Sequence, residues 1–482
     1  MSLVTTRIPA RLDRLPWSPW HRMVLVGLGT VWILDGLEVT IVGSLSDRLT
    51  EKGSGLALTA SQIGVAAAIY VLGACLGALF FGHLTEKHGR KKMFFITLTV
   101  YLLATVATAF SMNPMYFFVC RFLTGAGIGG EYAAINSAID ELMPKNLRGR
   151  IDLFINGSYW LGAAAGAALT IVLLNEDFLP ANIGWRVAFA LGAVLGLVVL
   201  FVRRNVPESP RWLLIHGQDD EAERIVGDVE HRVSDEVHEP LSEVGEDDEL
   251  QIEQRETTTF REIARTLLAD YRKRTLLGLS LFVGQAFLYN AVFFTQGLVL
   301  TTFFGVGSGS AGWYIIPLAL GNFLGPLLLG RLFDTVGRRV MISICYVGSG
   351  LLLVATALFL TGLNATTLTL CWCAVFFLAS AGTSAAYLTV SEIFPMETRA
   401  MSIALFYAVG TGLGGIIGPL LFGKLVATEQ LSNVAIGYYL GAALMIAGGV
   451  VEAFVGVDAE QRSLEDIAEP LSSQDAADEP TG

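Results

Sequence analysis

Charged residues are scarce in this 482-residue sequence: they make up 16% of it, against about 25% in an average soluble domain. Cysteine and histidine are also rare, with five and six residues. All five cysteines lie in apolar runs, and Cys371 and Cys373 are too close together for a CxxC redox motif or a zinc site. Nucleophile–histidine pairs and clusters with metal-ligand spacing are missing as well. The sequence therefore predicts neither an enzyme nor a bound metal or other cofactor.

The basic residues do not cluster into a patch along the sequence. The formal net charge is −12, and it resides in two segments. Residues 217–256 hold sixteen acidic residues against three arginines, and residues 458–482 hold eight against one. The rest of the chain is net positive, but its basic residues are spread over short loops. We therefore expect no nucleic-acid partner, because such binding needs a clustered basic patch.

Apolar sequence is abundant, since 53% of the residues are hydrophobic. It is arranged in twelve runs, each about long enough to cross a bilayer core roughly 30 Å thick. The runs form two sets of six around a polar interval, at about 21–44, 61–84, 93–111, 115–140, 153–174 and 185–202, then 276–304, 312–333, 340–360, 367–391, 401–426 and 434–457. The sequence predicts a multi-pass protein whose main partner is the lipid bilayer.

Basic residues fill alternate connections between these runs, for example residues 87–92 and 145–150. The positive-inside rule then places both termini and the central interval in the cytoplasm. The first run follows several arginines, as a signal peptide would, but it is too long and lacks a small-residue cleavage site. We expect an uncleaved first span in the cell membrane, either a plasma or an inner membrane.

Four regions are expected from these boundaries. They are an N-terminal six-helix bundle (1–202), an acidic cytoplasmic segment with short helices (203–274), a C-terminal six-helix bundle (275–457) and a disordered acidic tail (458–482). The stretch GEDDEL near residues 245–250 is also expected to be disordered. Both acidic regions are interpreted as solvated surface, with regulatory docking as the alternative.

The two halves repeat each other. GHLTEKHGRKK (82–92) returns as GRLFDTVGRRV (330–340), and ELMPKNLR from Glu141 returns as EIFPMETR from Glu392. The offsets, 248 and 251 residues, are nearly equal. Two signatures at one offset indicate a duplicated unit. The predicted fold class is all-α, with twelve transmembrane helices in two pseudo-symmetric bundles.

Two carboxylates interrupt the first apolar run. Asp35 and Glu38 are three residues apart, so they lie on one face of a helix. A carboxylate at mid-membrane costs roughly 2.5–3.5 kcal/mol on insertion scales, so it is rare without a partner or a task. This pair predicts an ion-coupling site.

A glycine pattern in the fourth run is a false lead. Residues 125–130, GAGIGG, satisfy the GxGxxG dinucleotide fingerprint. They follow no strand and lie inside an apolar helix, so a nucleotide cofactor is not indicated. We expect these glycines to let helices pack closely.

The motifs identify a family resemblance that covers nearly the whole chain. Residues 82–92 match the loop signature of the major facilitator superfamily at every fixed position, whereas the copy at 330–340 departs from it at two. The stretch 121–150, PESPRWL (207–213) and QRSLEDI (461–467) resemble the sugar porters and metabolite–proton symporters. The resemblance implies an outward-open latch formed by Gly82, Glu86, Lys87, Gly89, Arg90, Lys91, Glu141, Arg148, Asp334, Gly337, Arg338, Glu392 and Arg399. The alternative is a basic loop that only sets topology.

The resemblance also implies a proton relay. Asp35 is expected to carry the proton opposite Arg121, which matches the arginine that pairs with the first-span acid in the family. A permanent structural ion pair is the alternative. Glu38 is expected to share the proton, bind substrate or cap a neighbouring helix. Glu131, deep in the fourth run, is expected to face the cavity or contact Arg121 or Asn156.

The substrate class follows from where the chain departs from sugar porters. The seventh run lacks their paired glutamines, and the PETKG that precedes RSLE is missing. The DGxE sequence from Asp35 is similar to the DGxD motif of aromatic-acid symporters. The predicted function is proton-coupled symport of an organic or aromatic acid by a monomer, through alternating access. The predicted substrate contacts are Gln285, Tyr289, Asn290, Asn322, Trp160 and Tyr387. A sugar or polyol porter, a drug exporter and a nutrient sensor remain as alternatives.

Overall fold

The structure is a computed structural model, and it describes residues 3–173, 178–203, 207–238, 240–245, 249–254, 260–293, 295–306 and 312–471. The first half contains β1 (Leu3–Thr6), α1 (Ile8–Asp13), α2 (Pro19–Ser44), α3 (Ser46–Thr50), a 3₁₀ turn (Lys52–Ser54), α4 (Ala60–His88), α5 (Arg90–Ala109), α6 (Pro114–Leu142), α7 (Arg148–Gly157), α8 (Tyr159–Leu173) and α9 (Ala181–Arg203). The segment between the halves contains α10 (Pro210–Ile215), α11 (Asp219–Val237), β2 (Leu250–Glu253), α12 (Phe260–Arg265) and a π-helical stretch (Thr266–Asp270).

The second half contains α13 (Arg272–Phe287), a π-helical stretch (Leu288–Phe293), α14 (Gln296–Phe303), α15 (Gly312–Thr335), α16 (Arg338–Phe359), a 3₁₀ turn (Leu360–Gly362), α17 (Ala365–Ile393), α18 (Arg399–Val426), α19 (Leu431–Val455) and α20 (Leu464–Ile467). Within the described ranges, nine helical segments are long and apolar enough to cross a membrane. With α6, α9 and the consecutive pair α7–α8, they make six spans in each half. The predicted fold class is therefore confirmed.

Several spans begin at capping residues. The side chains of Thr59, Asn113 and Asn364 each accept a hydrogen bond from the backbone N–H three residues later, at 2.9–3.2 Å. These caps satisfy donors that a helix leaves free at its first turn, and they fix where α4, α6 and α17 start.

Small residues let the spans of the first half pack closely. A Cβ atom at Gly125 or Gly129 of α6 would overlap the backbone carbonyl of Tyr70 or Ala74 in α4. Gly36 of α2 faces the backbone of α8 in the same way. The glycines of the GxGxxG sequence thus serve helix packing, as expected.

A small antiparallel sheet joins the start of the chain to the segment between the halves. In β1 and β2, Leu3 pairs with Glu253 and Thr6 with Leu250. These strands were not expected from the sequence, whose acidic 245–250 stretch predicted disorder. Leu250 instead begins β2, with Ile252 buried; residues 246–248 lie outside the described residues.

The expected disorder of the tail is corrected in the same way for residues 458–471. Ser463 caps the start of helix α20, since its hydroxyl accepts from the N–H of Asp466 at 3.1 Å. Leu464 and Ile467 are buried. These apolar contacts, together with an ion pair of Glu465 described below, hold a segment whose acidic composition alone suggested solvation. Residues 472–482 lie outside the described residues.

Candidate functional site

A buried ion pair links α2 to α6 in the first half. The Arg121 guanidinium donates to Glu38 Oε1 at 3.1 Å, and its Nη2 also donates to the hydroxyls of Thr108 and Thr124, each at 3.1 Å. The ring of Phe189 lies 4.8 Å from Arg121 Cζ. Both charged side chains are fully buried. These contacts on several sides hold Arg121 in one position.

The structure differs here from the expected pairing of Arg121 with Asp35. The N-terminus of α6 lies at the opposite end of the bundle from the N-terminus of α2. Arg121 lies two turns from the start of α6. Glu38, one turn beyond Asp35 along α2, is at the level of Arg121. Asp35 is also buried, and its Oδ1 has no hydrogen-bond partner among the described residues.

Glu131 is the third buried acid of this region. Neither of its carboxylate oxygens finds a partner in the described part of the chain, so the expected contacts with Arg121 or Asn156 are not formed. Asn156 instead donates to Asn136 at 3.1 Å. The Glu131 carboxyl lies within electrostatic range of Asp35 and Glu38. Three acids therefore share a region in which the described residues include one arginine, Arg121.

Aromatic side chains lie next to these acids at the contact between the halves. Trp32 and Tyr132 come from the first half, three residues from Asp35 and one from Glu131. Their rings are 4.5 Å apart, and Tyr132 stacks on Tyr387 and Tyr407 of the second half at 5.9 and 4.5 Å. Sequence reasoning missed Trp32 and Tyr132, although their positions beside intramembrane acids could have indicated them.

A second aromatic group surrounds the irregular seventh span. Tyr289 lies in the π-helical stretch, where its hydroxyl donates to Asn322 Oδ1 at 2.8 Å. The ring of Trp160, from the first half, stacks on Tyr289 at 5.3 Å. Gln285 is buried one turn earlier and its Oε1 has no partner among the described residues, whereas Asn290 donates to the backbone of its own helix. Interrupted helices with polar side chains at a bundle interface are typical of substrate sites in transporters.

One face of the molecule, called the motif face below, carries the repeated loop signatures. On it, an acid from each half caps a helix of the other half. Glu86 Oε1 accepts from the backbone N–H of Ala400 at 2.7 Å, in the first turn of α18. Asp334 accepts from Gly149 and Arg150, at 3.2 and 2.8 Å, in the first turn of α7. A carboxylate at a helix N-terminus is favourable because it meets free N–H groups and the positive end of the helix dipole.

Ion pairs on the motif face follow the same two-fold pattern. Arg90 contacts Glu86 and Glu141 at 3.3 and 3.1 Å. Its counterpart Arg338 contacts Asp334 and Glu392 at 2.7 and 3.1 Å. Across the halves, Arg399 contacts Glu141 at 3.3 Å and Arg148 approaches Glu392 to 3.9 Å. All these arginines are buried, so the motif face is closed by charged pairs shielded from water.

The glycines of the repeated loops have a positive φ, which favours glycine. Gly89 has φ of 92° and Gly337 of 119°. Next to each, a second acid caps the following helix: Glu208 accepts from the N–H of Arg90 at 2.9 Å, and Glu460 from Arg338 at 3.2 Å. Burial raises the pKa of Glu208, although backbone N–H groups and Arg90 oppose that rise.

Three further residues of the predicted latch have different surroundings. Gly82 packs against Ala404 of α18, where a Cβ atom would crowd the alanine methyl. Lys91 contributes its backbone N–H to Glu208 at 3.0 Å, and the Lys87 side chain is exposed.

An acid from the N-terminal segment completes the network, and sequence reasoning missed it. Asp13 is buried, and its Oδ1 accepts from Arg148 at 3.0 Å and from Arg211 at 3.1 Å. Arg211 also contacts Glu465 of the tail at 2.8 Å. The N-terminus, the segment between the halves and the tail therefore meet at the motif face.

We call residues 3–16 the N-terminal strap. Arg11 and Arg14 both contact Glu230 of α11 at 2.6 Å, and Arg7 contacts Glu249 at 2.5 Å. Burial opposes ionisation of Glu230, but the two guanidiniums outweigh it and lower the pKa of this carboxyl. Because of this lowered pKa, ionised Glu230 stabilises the docked strap at pH values above the ordinary glutamate pKa of about 4.3. The stabilisation is lost as the pH falls through the lowered pKa.

Comparisons with known proteins agree with this architecture. The model of the family described as "Sugar (and other) transporter" matches residues 39–471. The niacin transporter NiaP of Acinetobacter baylyi is 25% identical over 461 residues, which cover 95% of this chain and 99% of NiaP.

Solved structures of the proton:xylose symporter XylE share the fold at 18% identity. With XylE bound to 6-bromo-6-deoxy-D-glucose the TM-score is 0.75, over 92% of this chain and 98% of XylE. With a partially occluded inward-open conformation of XylE from E. coli it is 0.66, over 90% and 97%. The expected superfamily is confirmed, and the protein is a transporter rather than an enzyme. The chain belongs to the sugar (and other) transporter family of the major facilitator superfamily.

Proposed function

We propose that the protein takes up a small organic or aromatic acid together with protons by alternating access. The observation that carries this proposal is buried Asp35 beside a complete Glu38–Arg121 ion pair, with Asp35 Oδ1 lacking a hydrogen-bond partner among the residues described. Because Glu38 already neutralises Arg121, ionised Asp35 would have no counter-charge of its own. A lone intramembrane carboxylate is costly, so Asp35 is the group poised to exchange a proton.

The charges of Glu38 and Arg121 stay unchanged while Asp35 gains or loses its proton. Glu131 is the second acid available to the same proton, since it is near Asp35 and neither of its carboxylate oxygens has a hydrogen-bond partner among the described residues. Protonation of Asp35 removes charge from the contact between the halves. A neutral contact is easier to desolvate, so loading of the proton favours the swing between conformations.

The motif face is assigned to the cytoplasm, because its loops carry the basic residues that the positive-inside rule places there. Its cross-half contacts keep the cytoplasmic side closed in this conformation. The lower TM-score with inward-open XylE than with sugar-bound XylE supports this state.

The substrate site is assigned to the two aromatic groups at the contact between the halves. Trp160, Tyr289 and Tyr387 offer ring faces, and Asn322 and Gln285 offer polar atoms. Aromatic faces favour a planar, ring-shaped substrate. Niacin, the compound in the name of NiaP, is an aromatic carboxylic acid of this kind. We propose a monomer in a plasma or inner membrane, with the proton as the coupling ion and no other cofactor.

Proteoliposomes with an inward pH gradient test this function. A panel of radiolabelled aromatic carboxylates, including nicotinate, is compared with sugars such as xylose. We expect pH-driven accumulation of a carboxylate, loss of that accumulation in Asp35→Asn, and retained exchange of substrate across the membrane. Glu51→Gln, at an exposed acid, serves as the matched control. Normal accumulation by Asp35→Asn would overturn the assignment of the proton carrier.

A sugar or polyol porter is the second candidate. The family description and the sugar bound to XylE favour it. The same panel separates the two, because a sugar porter accumulates xylose or a polyol and ignores the carboxylates.

A further inference from the structure

Four buried acids have both carboxylate oxygens without a hydrogen-bond partner in the described part of the chain: Glu131, Asp140, Asp152 and Glu452. Glu131 belongs to the site above. Asp140 and Asp152 are different, because they lie at the closed motif face and are 0% exposed. The mechanism proposed above gives them no task.

The two aspartates face each other on neighbouring helices. Helices α6 and α7 run in opposite directions, and the side chains of Asn136 and Asn156 are hydrogen-bonded between them at 3.1 Å. Asp140 is four residues after Asn136, and Asp152 is four residues before Asn156. Both acids are therefore one helical turn, about 5.4 Å, further toward the motif face, and they occupy opposed positions. Their charges act on each other.

The arginines around this pair are already engaged. Five buried arginines of the motif face are in ion-pair contact with six acids: Asp13, Glu86, Glu141, Asp334, Glu392 and Glu465. These acids already outnumber the arginines. Two further carboxylates, ionised and sealed from water, would leave the network with excess negative charge, which burial strongly disfavours.

The charged groups around the pair come from four helices. Arg148 of α7, Arg338 of α16, Glu392 of α17 and Arg399 of α18 act on Asp140 or Asp152. Arg148 donates to Asp13 and approaches Glu392, Arg338 holds Asp334 and Glu392, and Arg399 holds Glu141. Glu392, a like charge, is supplied by the second half.

We propose that Asp140 and Asp152 form a second proton-binding site, which takes up at least one proton when the motif face closes and releases it when that face opens. Opening withdraws Glu392 from the pair and admits water. It also frees Arg148, one turn from Asp152 on the same helix, to pair with the aspartate. Each change favours the ionised form, so closure and proton binding are linked.

The inference does not depend on which substrate is carried, so it can be tested without one. Spin labels at Lys87 and Thr335, exposed positions on opposite halves of the motif face, report its opening by distance measurement in nanodiscs. The five native cysteines are first replaced. The ratio of closed to open protein is then followed from acid to alkaline pH.

If closure binds one proton, the ratio of closed to open protein falls by up to about tenfold for each unit by which the pH rises within the titration range. We expect this dependence to persist in Asp35→Asn/Glu131→Gln, whose proton site is removed, and to be lost in Asp140→Asn/Asp152→Asn. Glu452→Gln is the matched control and should leave the dependence unchanged. Glu452 is an equally buried acid on α19 whose carboxylate oxygens also find no hydrogen-bond partner within the described ranges. Equal pH dependence in the Asp140→Asn/Asp152→Asn variant and its parent would overturn the inference.

Infrared spectroscopy of the folded wild type supplies an independent measurement if the double variant does not fold. A protonated carboxyl has a C=O stretch that a carboxylate lacks. We expect single variants Asp140→Asn and Asp152→Asn to remove intensity from that band at neutral pH. A band unchanged in both single variants would refute the second proton site, whatever the outcome for Asp35.

Discussion

At the level of single residues, one turn of α2 separates two acids with different surroundings. Glu38 meets Arg121, whereas the part of the chain that the structure describes offers Asp35 no ion-pair partner of its own. The sequence places both acids on one face and cannot distinguish them. Which acid lies at the level of Arg121 depends on the position of α6 along α2. The identity of the acid that pairs with Arg121 therefore had to come from the structure.

Replacement of each acid by its amide should affect stability differently, because the two acids have different surroundings. Glu38→Gln leaves Arg121 buried without its ion-pair partner, and breaking such a pair costs about 3–5 kcal/mol. Asp35→Asn resembles the protonated acid and removes no ion pair. We expect a clear fall in melting temperature for Glu38→Gln and almost none for Asp35→Asn, measured by thermal unfolding in detergent at neutral pH. Similar losses in both variants would contradict the distinction.

At the level of elements, the repeated loop signatures and the family resemblance that they carry predicted much of the motif face. The signature at 82–92 indicated Glu86 and Arg90, which form an ion pair across the turn between α4 and α5. It also indicated Gly89, whose positive φ the loop requires. Asp13 could not be found in this way, since it lies in a short terminal segment and its partners, Arg148 and Arg211, are more than 130 residues away. Contacts over such distances leave no periodic pattern in the sequence.

The N-terminal strap is expected to stabilise closure of the motif face. Asp13→Asn removes the shared partner of Arg148 and Arg211 and leaves both guanidiniums partly unpaired. We expect a larger open fraction, several-fold above wild type, seen as faster labelling of a cysteine placed in the closed face. Glu249→Gln breaks only the exposed contact with Arg7, which is worth about 0–1 kcal/mol, and is the control. Equal labelling rates in the Asp13→Asn variant and wild type would contradict a role for the strap.

At the level of the whole molecule, closure is divided between two equivalent sets of contacts. Glu86 caps a helix of the second half, and Asp334 caps a helix of the first. The duplicated sequence predicted that such signatures occur twice. The resemblance implied a latch that holds the halves together. It did not reveal that each acid caps a helix of the other half, because pairing between bundles is set by their packing and not by either repeat alone.

The two caps should act independently. Glu86→Gln and Asp334→Asn each weaken one helix-end contact, worth about 0.5–2 kcal/mol. Each variant also removes one ion-pair contact of a buried arginine, Arg90 or Arg338. We expect the free-energy changes to add in the double variant, because the two sites have no shared partner. Distance distributions across the motif face would measure the open fraction of each variant. A double variant no more open than the singles would argue against two separate contacts.

The β1–β2 pairing has a consequence for the order in which the molecule is made. Leu3 cannot meet Glu253 until some 250 further residues have left the ribosome. By then the first six spans have been synthesised, so they are inserted before β1 can pair with β2. Strand β1 thus emerges before the first six spans but reaches its place only after them.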